Sequence, residues 1–102
     1  MHQSPLTIYC LAGFFKGNDF LRECHDAGHR VVLVTREKAS KQEWAIDSID
    51  SMITVPNDTG MEDFIHAVSD SARLRWPDLV IALEESDVIT AARIREHLCL
   101  DG

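Results

Sequence analysis

The sequence predicts an α/β domain: a four-stranded parallel sheet of order 3-2-1-4 with helices on both faces. Three observations carry that expectation. Nearly unbroken apolar runs rich in β-formers recur at Leu6–Ala12, Arg30–Thr35 and Leu79–Leu83, the pattern of strands covered on both faces. Segments with the 3.6-residue spacing of amphipathic helices separate them. Right-handed crossovers between parallel strands then leave few topologies, and the first strand needs a neighbour on each side.

Leu6–Ala12 opens the sheet, with Pro5 just outside it. Gly13-Phe14-Phe15-Lys16-Gly17 follows as a turn whose two glycines let backbone approach a ligand closely. Asn18 is the expected N-cap of a helix that buries Phe20, Leu21, Cys24 and Ala27 and stops at Gly28. Arg30–Thr35 is the second strand. Arg36 to Ala39 is charged and irregular, after which Ser40-Lys41-Gln42-Glu43 has capping-box spacing and predicts a short helical turn holding Trp44 and Ile46.

Met52–Val55, closed by Pro56, is a brief edge strand. A second capping box, Thr59 with Glu62, precedes the longest helix, Gly60 to Arg75, whose stripe is Met61, Phe64, Ile65, Val68 and Ala72. Trp76-Pro77 ends it. Leu79–Leu83 then runs into Glu84 and Glu85, and Ser86-Asp87 reads as the N-cap and first turn of a helix carrying Val88, Ala91, Ala92, Ile94 and Leu98.

Composition bounds the function. The chain has 102 residues, 45% hydrophobic and 26% charged, which is one ordinary globular unit. Its formal net charge is −7, and residues 61–102 hold nine acids against four Lys and Arg. That balance, with no basic run, argues against nucleic acid and anionic membrane as partners. Cys10, Cys24 and Cys99 are odd in number and lack C-x-x-C spacing, so a reduced, cytoplasmic setting is expected. The N-terminus has no signal-peptide pattern, and no apolar run approaches a membrane span.

In the expected strand order, chain direction reverses between strands one and four, and open α/β sheets bind ligands in the crevice at that point. The Gly13–Gly17 and Glu84–Asp87 loops face each other there. Lys16 could neutralise a carboxylate or phosphate, with Gly13 and Gly17 giving backbone access. Glu84, Glu85 and Ser86 form the opposing wall, where a carboxylate could accept from an amine or hydroxyl. The alternative is a solvated lysine, a capping Glu84 and a solvated Glu85.

The loop is neither a P-loop nor a dinucleotide fingerprint, since Thr35-Arg36 stands where the downstream acid belongs. Cys24, His25 and His29 straddle the Gly28 stop, and no further pair completes four ligands, so no metal site is predicted. No nucleophile, base and orienting group assemble, and no catalytic residue is assigned. Receiver-type phosphorylation chemistry fits worse, because Ala12-Gly13 and Val55-Pro56 occupy the places its acids need. Trp44 and Trp76 read as packing residues, while exposed Phe14-Phe15 or an uncovered helix face favours docking to another domain or a homodimer.

Several strings together resemble the N-terminal, or pre-ATP-grasp, domain of the ATP-grasp carboxylate-amine ligases. They are the first strand with Gly13-Phe14-Phe15-Lys16-Gly17, Ala27 to Thr35, Trp44 with Ile46 to Asp50, Pro77 to Glu84, and the closing Ala91 to Gly102. Cys99 and Asp101 depart from the family's Leu-Gly-Leu-Pro-Gly segment. The resemblance implies a three-layer Rossmann-like domain, residues 1–102, that is the N-terminal fragment of a longer ligase and inactive alone. It implies a small carboxylate or amine substrate, the remaining ATP-grasp domains as partners, and ATP and magnesium held beyond this chain. A stand-alone Rossmann-like module binding a small metabolite or nucleotide is the alternative.

Overall fold

The structure is a computed structural model that describes residues 5–58 and 60–100. Four parallel strands, β1 (Thr7–Ala12), β2 (Arg30–Arg36), β3 (Ser51–Val55) and β4 (Leu79–Ala82), lie in the order β3-β2-β1-β4, as the sequence predicts. Ile8 pairs with Val31 on one side and Leu79 on the other, so β1 is central.

The helices are α1 (Asn18–Asp26), the single turn α2 (Glu37–Ser40), α3 (Met61–Ala72) and α4 (Val88–His97), with 3-10 turns at Ile46–Ser48 and Glu85–Asp87. Strand alternation sorts the core into two layers. Ile8, Cys10, Ala12, Val31 and Leu33 pack with Leu21, Cys24 and Trp44 on the α1 side. Tyr9, Leu11, Val32, Val34 and Val80 pack with Phe64, Val68, Ala91 and Ile94, under α3 and α4. Among the described residues no helix is long and apolar enough to cross a membrane.

Two aspartates tie the amino ends of neighbouring strands. Thr7 N–H donates to Asp78 Oδ2 at 2.7 Å while Asp78 N–H donates to Thr7 O at 2.8 Å. Val31 and Asp50 repeat the exchange at 2.8 and 2.9 Å. Each aspartate thereby gives a strand-opening amide an acceptor. Tyr9, fully buried, hydrogen-bonds Ser71 Oγ and donates to Arg75 O, both at 2.7 Å, and fastens β1 to the end of α3.

Several local expectations need correction. The N-cap position of α1 is Gly17, in the left-handed region at φ 103°, and Asn18 is already helical. The Asn18 side chain instead holds a loop: Nδ2 donates to Glu43 O at 3.0 Å, and Oδ1 accepts from Ala45 N–H at 2.8 Å. The Ser40–Glu43 capping box does not form. The helical turn is α2, one step earlier, where Ser40 Oγ donates to Glu37 O and Asn57 Oδ1 accepts from Lys38 N–H. Trp44 is buried beyond it, whereas Ile46 is exposed.

α3 is shorter than expected: 73–75 leave the helix in a turn held by Arg75 N–H on Ser71 O. Thr59, the proposed cap, lies outside the described residues, as do Asp101 and Gly102. β4 is not buried on both faces. It lies at the edge, as the expected order has it, but with Leu79 exposed and Ile81 and Ala82 half-buried, and Arg95 Nη1 donates to its Val80 O at 2.8 Å. Of the smaller expectations, Ala27 and Val88 are exposed rather than packed, and Trp76 is exposed.

Candidate functional site

The loops that leave the carboxyl ends of β1, β2, β3 and β4 lie at one end of the sheet. The Gly13–Gly17 loop approaches the β4 side at Gly17 and Leu83, and a cavity lies on its other side, toward the ends of β2 and β3.

On the β4 side, Lys16 and Glu84 are near enough that the lysine's charge helps hold the Glu84 carboxyl below its ordinary value. The larger cause is the Ser86 hydroxyl, which donates to Glu84 Oε2, and Ser86 N–H donates to the same oxygen at 3.2 Å. Glu84 therefore caps the 3-10 turn, which is the alternative that the sequence left open for it. Its second carboxylate oxygen has acceptor capacity to spare. Glu85 and Ser86 are exposed on that turn, Lys16 is exposed, and Gly13 is buried.

Gly17 is needed here for two reasons. Its φ of 103° disfavours any side chain, and a Cβ would stand 2.8 Å from Leu83 Cδ1. The β1 and β4 loops thus touch at Gly17 and Leu83.

Asp87 is the residue that sequence reasoning missed. Although it occupies the N-cap position of α4, its side chain makes no cap bond. It turns back into the fold, where Oδ2 accepts from Gly13 N–H at 3.0 Å, and it is 7% exposed. Burial pushes its carboxyl above the ordinary aspartate value; the Gly13 amide opposes that, Glu84 reinforces it and Arg36 opposes it. The signal was an acid two residues past a strand-ending Glu-Glu pair, but the direction of its side chain is a tertiary fact.

On the β2 side, Gly13, Phe14, Phe15, Arg36, Lys38 and Asn57 line a cavity of about 290 Å³. Phe15 meets Trp44 edge-on at 4.9 Å between ring centroids, and Trp44 Nε1 donates to Ala39 O at 2.8 Å. The Arg36 guanidinium lies 5.1 Å over the Phe64 ring. Only Gly13 of these lining residues had been placed at the site.

Among the described residues no group of three or more His, Cys, Asp or Glu could hold a metal ion. His29 Nδ1 accepts from Leu6 N–H at 3.0 Å. Cys10 is buried and its thiol is pushed up to about 12, chiefly by burial and then by Cys24.

The strand order and the two core layers define an open parallel α/β domain of the three-layer, Rossmann-like class. No protein-family model and no curated protein matches the sequence. Among solved structures, an L-amino acid ligase from Bacillus licheniformis is similar, with a TM-score of 0.75 and 16% identity. The match covers 99% of this chain and 25% of that one, so this chain spans about a quarter of the ligase's length. At that identity the likeness shows a shared fold, and it agrees with the fold that the resemblance to ATP-grasp ligases implies.

Proposed function

We propose that this chain is the substrate-side module of an ATP-grasp ligase, which joins a carboxylate to an amine through an acyl phosphate. The observation that carries the proposal is the fold likeness, which takes in nearly the whole chain and a quarter of an L-amino acid ligase. The module packs against the ligase's other domains, where ATP and magnesium bind, and is not catalytic alone. In keeping with that, Ser86 is engaged by Glu84 and burial holds Cys10 in its protonated, unreactive form.

In this role Lys16 faces the carboxylate of an amino-acid-like substrate and Glu84 accepts from its ammonium group. The opposite charges suit a zwitterion. Gly13 and Gly17 keep the loop close, and Glu85 and Ser86 form the outer wall.

Two measurements test this. Calorimetry of the chain with magnesium and ATP is expected to show no saturable binding, and micromolar affinity would count against the module. In the assembled ligase, Glu84→Ala should raise substrate KM roughly tenfold, as expected for losing a hydrogen bond to a charged group. Unchanged KM and turnover would remove Glu84 from the site.

A further inference from the structure

We propose that the cavity between the Phe14–Phe15 loop and the ends of β2 and β3 is a second site, which binds a small carboxylate carrying an apolar body of aromatic size. It goes beyond the ligase reading and does not depend on it.

Its volume, about 290 Å³, is near the lower end of small-molecule pockets and suits a ligand of single-ring size. Both ionisable residues in its lining, Arg36 and Lys38, are cations. Arg36 also acts on Asp87 behind Gly13, and Lys38 adds a second cation, so in a chain of net charge −7 this lining keeps an excess of positive charge and favours an anionic ligand. The rest of the wall is largely apolar. Phe14 is 66% and Phe15 43% exposed, aromatic surface that an apolar ligand body would cover.

The cavity is also built in advance. Arg36 is oriented over the Phe64 ring, Phe15 is set against Trp44, and Asn57 Oδ1 fixes the Lys38 backbone by accepting its N–H at 2.8 Å. Binding therefore orders little that is not already ordered. Two cations and two phenyl rings in one lining match a molecule with a carboxylate at one end and a hydrocarbon at the other. An inorganic anion lacks the second half.

The test is an amide NMR titration of the chain with 3-phenylpropionate. Saturable shifts are expected at Gly13, Phe14, Phe15, Lys38 and Asn57. Lys38→Glu and, separately, Phe14→Ser should each weaken binding roughly fivefold; both side chains are exposed, so the remaining spectrum should be unchanged. 2-Phenylethylamine, the same body with the opposite charge, should leave these amides unmoved. The proposal is overturned by absent or non-saturable shifts, by shifts confined to other surfaces, by an equal response to the amine, or by inorganic phosphate binding as tightly. Because this readout uses neither ATP nor Glu84, it can fail while the ligase reading stands, and the reverse.

Discussion

Gly17 and Gly28 share a left-handed backbone but not an environment. At Gly28, φ is 88° and a Cβ would meet nothing within 4 Å, whereas at Gly17 it would strike Leu83. Gly28→Ala should thus cost only the conformational penalty, about 1 kcal/mol, and Gly17→Ala about 2–4 kcal/mol once the clash is added. Urea denaturation compares them directly, and equal losses would mean that Leu83 yields without cost. Asp87 gives a prediction in pH. Because burial raises its folded value above the unfolded one, the native state holds the proton more tightly. Stability therefore falls as pH rises from the ordinary aspartate value through the raised one. Asp87→Asn keeps an acceptor for Gly13 N–H and removes that loss, so its stability relative to the parent should grow as pH rises through and above the ordinary aspartate range. A difference that stays flat across this range would contradict the assignment. Glu84 acts in the opposite sense, its contribution being lost as pH falls, but its exposure keeps the effect small.

Between elements, side-chain carboxylates do work that a parallel sheet leaves undone. Strands entering from helices on either face begin with amides that lack a ladder partner, and Asp78 and Asp50 supply the acceptors. Asp78→Ala should cost about 1–2 kcal/mol and speed hydrogen exchange at Thr7. Asp50→Ala should do the same at Val31, each leaving the other amide protected; exchange that rises at both sites in either variant would point to general loosening. In the sequence Asp78 stands between the helix-ending Trp76-Pro77 and the strand run from Leu79, which locates the residue without revealing the clamp. The misplaced helical turn has a related cause. Capping-box spacing at Ser40–Glu43 is a local signal, and it lost to a side chain from the loop after the neighbouring strand β3, Asn57 on Lys38, together with the burial of Trp44.

For the molecule as a whole, layers and strand order were legible because they follow from apolar runs and crossover handedness. β1 and β2 are buried along nearly their whole length, so their sequences state their place. The edge position of β4 followed from the strand order, but its apolar run overstated its burial, because a strand's own residues do not report how completely helices cover its faces. The candidate site was half legible. Topology alone brings the Gly13 and Glu84 loops together, but the inward turn of Asp87 and the cavity under Phe14 and Phe15 arise only when three loops are placed in space. One consequence concerns how such a sheet meets other chains. An edge strand recognises any extended segment through its backbone, whatever that segment's sequence. Here Arg95 already occupies the Val80 carbonyl, so a fifth strand docking there would first have to displace a guanidinium. The β4 edge thus carries its own competitive inhibitor of strand addition.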